Sequence, residues 1–330
     1  MLSRVAESIY WMNRYVERAG NIARIVDVNF RLMLDLPTGM TIHWDALVRI
    51  TGEYEQFLER YNSPTRDNVI QYLTFDAENP NSIRSCMRAA RENARSVRDS
   101  ISSELWEQVN RFYLMVSDAA NRELDSPEEF LAEIKLANHL FVGLTYGTMP
   151  HGKGWHFARL GRVLERADKT SRILDVKYFI LLPSLSDVGT PLDEIQWTAV
   201  LGSASALEAY RQQCGRVSPV RVVEFLMLDR EFPRSIHYCL TQADASLHAI
   251  SGTPLATFHN AAEQKVGQLR AEFDFTRVSE IMSSGLHEFI DRFQTNLNDS
   301  GSAILETFFA KRPVERWGNG EQDQRFSSAF

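Results

Sequence analysis

Apolar residues near the start of the chain recur in steps of four and three. Val5, Ile9, Met12, Val16, Ala19, Ala23, Val26, Phe30 and Met33 make one seam down a helix predicted over residues 2–34, ended by Pro37 and Gly39. The same spacing returns with Phe157, Leu160, Leu164, Ala167, Ser171, Leu174, Tyr178 and Leu181, stopped by Pro183. A second helix is expected over 42–61, with Trp44, Leu47, Val48, Phe57 and Leu58 as its apolar set, and a counterpart over 192–213 with Trp197 placed like Trp44. Ser63-Pro64, Ser218-Pro219, Asn79-Pro80 and Phe232-Pro233 read as helix starts. Further helices are expected over 104–122, 127–146, 255–273 and 278–297. No stretch alternates apolar and polar residues over several strands. The pattern predicts an all-α protein with five or six helices in each half.

The halves repeat each other. RYVERAGNIARIVDV (14–28) returns as RVLERADKTSRILDV (162–176), eight identities at a shift of 148 residues. VIQYLTFDAENPNSIRSC (69–86) returns as VVEFLMLDREFPRSIHYC (222–239), eight more at a shift of 153. Unrelated segments agree at about one position in fifteen or twenty. The expectation is an internally duplicated helical bundle, with halves at 1–150 and 151–310 related by a pseudo-two-fold axis and packed as one unit. The longer connector LPSLSDVGTP, against LPTGMT, explains the change of shift. YGTMPHGK (146–153) reads as a loose joint between the halves, and 311–330 as a loose C-terminal tail.

Charge then narrows the picture. The 330 residues are 44% hydrophobic and 24% charged, with net charge -7 and pI near 5.7. That is a soluble globular composition without the basic footprint of a nucleic-acid binder. There is no apolar run long enough for a membrane span, and the first residues lack the apolar core of a signal peptide. A cytoplasmic protein is expected. Cys86, Cys214 and Cys239 form no Cys-x-x-Cys pair, so neither a zinc site nor a disulfide framework is implied.

On the first long helix Arg14, Glu17, Arg18, Asn21 and Arg24 share a face roughly opposite the seam; Arg162, Glu165, Arg166, Lys169 and Arg172 do so on its copy. Tyr10, Ile25, Val28, Ile173 and Val176 lie among them, so both faces are expected to be covered and part of this charge desolvated. Buried guanidinium and carboxylate groups must find partners. Three readings stay open. Arg14 and Arg18 pair with Glu17 within one helix, or the helices cross near the pseudo-axis and each arginine pairs with the other half's glutamate. Alternatively, the arginines line a cleft for a carboxylate or phosphate. Finally, Glu17 or Glu165 acts as a general acid or base, although no partner nucleophile can be located.

Other candidates carry less. Asp76 and Asp229 precede helix starts and fit turn bonding. His151 and His156 are five apart and do not share a helix face as a metal pair would. Gly152-Lys153-Gly154 lacks the P-loop pattern. Cys86 and Cys239 fit an apolar core. No metal and no cofactor is implied.

The opening SRVAESIYWMNRYVERAGNIAR and the internal FARLGRVLERADKTSRILD resemble the alpha-E family, a bacterial all-helical family named for its Glu-Arg signature, here Glu17-Arg18 and Glu165-Arg166. The resemblance covers about 1–310. It implies company with circularly permuted ATP-grasp amide ligases, encoded beside or fused to such chains, and often with transglutaminase-like proteins. The function it implies is that of a non-catalytic partner that docks the ligase and holds its peptide or amino-acid ligand through arginine–carboxylate pairs. The alternatives are an enzyme of amide-bond formation or hydrolysis in the same pathway, and a purely structural homo-oligomer.

Overall fold

The computed structural model describes residues 1–35, 44–122, 126–180 and 190–310; the tail at 311–330 and most of the two unequal connectors lie outside them. Among the described residues the chain is helical, with no strand. The expected seam becomes α1, Ser3–Asp35, and its counterpart becomes α8, Lys153–Ile180. Between residues 5 and 30 of α1, and between 154 and 175 of α8, no residue is exposed. Both helices are interior elements wrapped on every side, which is why apolar residues interrupt their charged faces.

Around α1 pack α5 (Ile83–Ser96), α7 (Pro127–Thr148) and α9 (Pro191–Ser203). Around α8 pack α12 (Ile236–Ser251), α15 (Leu286–Ile304) and α2 (Asp45–Thr51). The most extensive contact is between α1 and α8 themselves. The remaining helices are α3 (Tyr54–Tyr61), α4 (Arg66–Thr74), α6 (Ser103–Ala119), α10 (Leu207–Cys214), α11 (Pro219–Leu228), α13 (Ala261–Phe275) and α14 (Val278–Ser284). A π turn at Leu305–Phe309 returns Phe309 to the core, 5.4 Å from Tyr10 and 5.6 Å from Phe157 between ring centroids.

The structure corrects the helix count. The stretches read as single helices over 42–61, 192–213 and 278–297 are each broken, at Gly52 (φ 81°), Ser205 (φ 51°) and Gly285 (φ 91°). A residue in the left-handed region ends a helix, and apolar spacing does not register it when the next helix resumes the same phase. The result is seven α-helices in 1–150 and eight in 151–310 among the described residues, not five or six. Helix starts also shift. Pro64, Pro80 and Pro233 sit in the preceding turns. The helices begin at Arg66, Ile83 and Ile236, where Thr65, Ser82 and Ser235 side chains accept from backbone N–H groups three residues on. α13 likewise begins at Ala261, not near 255, behind an Asn260 cap. At Ser218-Pro219 the expected start holds, with proline in the first turn. Asp76 accepts the N–H of Glu78, and Asp229 those of Glu231 and Phe232, the turn bonds expected of them.

The joint between the halves is not loose. α7 ends at Thr148 and α8 begins at Lys153. Met149 is buried, and the His151 ring stacks on Trp155 with centroids 4.2 Å apart.

Close approach of α1 and α8 depends on Gly161. A Cβ there would land against the Tyr10 carbonyl oxygen, a backbone atom that can move only with the helix. Gly161→Ala is therefore expected to destabilise the protein by about 1–3 kcal/mol, read as a lower midpoint in urea unfolding.

Candidate functional site

The crossing of α1 and α8 brings each signature glutamate to the arginines of the other helix. Glu165 is 0% exposed. Arg18 grips it in a bidentate pair, Nε to Oε1 at 2.6 Å and Nη2 to Oε2 at 3.0 Å, and Arg14 Nε donates to Oε2 at 2.9 Å. Glu17 is 1% exposed and is held by Arg166, with Nε 3.0 Å from Oε1 and Nη2 donating to Oε2 at 3.2 Å. The two clamps are reciprocal. A guanidinium fork fits a carboxylate with two parallel hydrogen bonds, the strongest arrangement open to these groups.

Each clamp recruits one further cation, from different places. At Glu165 it is Lys169, one turn along α8, with Nζ 3.9 Å away. The matching position on α1 is Asn21. At Glu17 the extra cation is instead Arg234, just before α12, which donates Nη1 to Glu17 Oε1 at 2.8 Å and to Asn21 Oδ1 at 2.9 Å. The residue matching Arg234 is Asn81, which accepts from Arg18 and donates to Glu53. Lysine with asparagine on one side is thus balanced by asparagine with arginine on the other.

Burial works to raise both glutamates, but the arginines overcome it. Arg166, Arg234 and Arg24 hold Glu17 well below the usual carboxylate range; Arg18 and Arg14 do the same for Glu165. Held this way, each carboxylate favours its ionised form and is engaged by arginine donors from the other helix.

Charge around Glu17 does not balance. Its field is shared by Arg24, Arg162, Arg166 and Arg234, four guanidiniums facing one carboxylate. Arg162 is 8% exposed, and its Nε and Nη1 have no hydrogen-bond partner among the described residues. Burial and the adjacent Arg166 push it down to about 10. Among the described residues Arg24, 2% exposed, meets only neutral amides, Nη1 to Asn21 Oδ1 at 2.6 Å and Nη2 to Asn138 Oδ1 at 3.3 Å, and its Nε has no partner. Burial and then Arg234 push Arg24 far down. Arginine keeps its proton in proteins, so the displacement marks a retained cation that Glu17 offsets only in part and that no carboxylate touches among the described residues.

Arg24 lines a cavity of about 600 Å³ between α1, α7, α9 and α10. Its walls include Val28, Ile195, Ala199 and Leu207. Lys135 Nζ and Arg31 Nη2 share the single carboxylate of Asp27 at 2.7 and 3.2 Å on one side. Glu194 and Glu208 also line it.

Of the eight residues singled out from sequence, Arg14, Glu17, Arg18, Glu165 and Arg166 form the clamps. Arg24 and Arg162 are buried beside Glu17 without direct ion pairs. Arg172 stands apart, donating Nε to Asp168 Oδ1 at 2.9 Å on its own helix. Sequence reading missed Arg234 and Asn81, although they oppose each other in the block repeated at a shift of 153 residues. The unlike residues inside that block were the available signal. Asn138 and Lys135 of α7 carried no such signal.

The alpha-E family, described as a predicted alpha-helical domain with a conserved ER motif, matches residues 1–309. An uncharacterized protein of Mycobacterium bovis is 28% identical over 279 residues, which is 76% of this chain and 30% of the relative. An uncharacterized protein of Mycobacterium tuberculosis matches at the same identity and coverage. The chain thus spans about 30% of the length of these curated relatives. No solved structure gives a significant match. Among the described residues no helix is long and apolar enough to cross a membrane.

Proposed function

Since the chain belongs to the alpha-E family, we propose that it is a non-catalytic partner of a circularly permuted ATP-grasp amide ligase, holding a carboxylate-bearing ligand at Arg24. One observation carries the ligand part: a buried guanidinium without a carboxylate partner borders a cavity of about 600 Å³. A buried cation unpaired in this way is tolerated where an anion completes it, and the volume is that of an ordinary small-molecule site. The ligase partnership is supported by the company that chains resembling this one keep. The reading places ligand binding beside the Glu-Arg clamps and gives the clamps the task of fixing α1 on α8. It takes the two halves as copies about a pseudo-two-fold axis, for which the reciprocal clamps speak, and sets the protein in the cytoplasm.

Purified together, chain and ligase are expected to co-elute at micromolar concentration, and the chain is expected to raise the ligase's amino-acid-dependent ATP turnover. No complex and no change in turnover would sink the partnership. A structural homo-oligomer is the second reading, favoured by the exposed Leu136, Leu140 and Tyr146 on α7. A dimer mass in light scattering that persists while ligase binding fails would decide for it.

A further inference from the structure

The cavity beside Arg24 is two-signed. Its cationic lining is the buried Arg24, with no carboxylate in direct contact among the described residues, together with Lys135 and the exposed Arg31, which divide one carboxylate, Asp27, between them. The same lining also carries carboxylates. Glu208, at the start of α10, is exposed and has no ion pair among the described residues; Glu194 meets only Arg216, at 3.4 Å and with Arg216 87% exposed. Val28, Ile195, Ala199 and Leu207 supply its apolar surface. A simple carboxylate would satisfy the cations and leave both glutamates facing an apolar ligand. A dianion would be repelled by them. A cation would be repelled by Arg24.

We infer that this cavity is a binding site for a zwitterion with an apolar side chain, a free amino acid or short peptide whose carboxylate meets Arg24 and whose ammonium is drawn to Glu208 and Glu194. The inference rests on the carboxylate-binding reading above and narrows it to a ligand with both ends unblocked. Arg24 supplies the anchor because its guanidinium is already desolvated and held by Asn21 and Asn138, so little further ordering is needed on binding. Glu208 selects, since it is the carboxylate left without a partner.

Calorimetric titration of the full chain tests this with L-leucine, leucyl-leucine, 4-methylpentanoate and 3-methylbutylamine. Leucine or leucyl-leucine is expected to bind, and 4-methylpentanoate, which lacks the amine, about threefold or more weaker. The amine alone is expected not to bind. Glu208→Gln, a surface change that leaves folding intact, is expected to remove the preference for the zwitterion without altering the affinity for 4-methylpentanoate. Arg24→Met is expected to weaken every carboxylate-bearing probe by about a hundredfold or more, with circular dichroism confirming the fold. Equal affinities for leucine, leucyl-leucine and 4-methylpentanoate, all lost in Arg24→Met, would overturn the zwitterion and leave the carboxylate reading standing. No binding of any probe to the wild-type chain would overturn both.

Discussion

Replacing Glu165 with glutamine is expected to destabilise the protein by about 3–5 kcal/mol, the loss typical of breaking a buried pair by removing one partner. The side chain keeps its shape, so packing is unchanged and the effect is electrostatic. Arg14, Arg18 and Lys169 would remain around a neutral amide, at 19%, 15% and 10% side-chain exposure. Glutamine also presents one acceptor oxygen where the carboxylate receives three arginine hydrogen bonds. Glu17→Gln is expected to act in the same direction, leaving Arg166 and Arg234 without their anion. Urea unfolding followed by circular dichroism reads both. A catalytic role for these glutamates would show the opposite pattern, with activity lost and stability retained.

The second large effect is acid lability. In the folded protein both glutamates hold their protons far less tightly than at the ordinary value of 4.5. The unfolded chain therefore takes up protons first as pH falls. The stability these groups contribute is fully present above about pH 5.5 and is lost progressively below the unfolded value, with each carboxylate approaching a slope of about 1.4 kcal/mol per pH unit. The folded-state values lie below the working range, so the loss continues to the lowest pH that can be measured. Wild-type protein is expected to lose stability steeply between pH 5 and pH 3. Glu165→Gln, already weaker at pH 7, is expected to show a shallower dependence over that interval, because one of the two linked protons is gone. Parallel curves for the two proteins would contradict the linkage.

Much of this was legible in the residues. The four-and-three spacing of Val5 to Phe30 located α1 to within one residue at either end, and apolar Tyr10 and Ile25 among the charges marked a helix covered on both faces. The pairing of Glu17 with Arg166, and of Glu165 with Arg14 and Arg18, was one of the readings the repeat permitted. The breaks at Gly52, Ser205 and Gly285 were hidden because they depend on single left-handed residues inside continuous apolar patterns. The cavity was hidden for a different reason. Arg24 borders it together with Lys135 of α7, Glu194 of α9 and Glu208 of α10. These residues are far apart in sequence and joined only by packing, and nothing in the charged face of α1 distinguished Arg24 from the paired Arg14 and Arg18.

Arg14, Arg18, Arg166 and Arg234 pair with the glutamates that hold the helices together, whereas Arg24 and Arg162 lack a direct ion pair among the described residues and only Arg24 of these two lines the cavity. Arg24→Met exchanges an unpaired buried cation for an apolar side chain; the relief of that charge offsets the lost bonds to Asn21 and Asn138. The most direct test is the unfolding free energy of Glu165→Gln beside that of Arg24→Met, measured at pH 7 without added ligand. The predicted result is a loss of about 3–5 kcal/mol for the first and a stability equal to or above wild type for the second. A Glu165→Gln protein as stable as wild type, or an Arg24→Met protein as weakened as Glu165→Gln is expected to be, would contradict it.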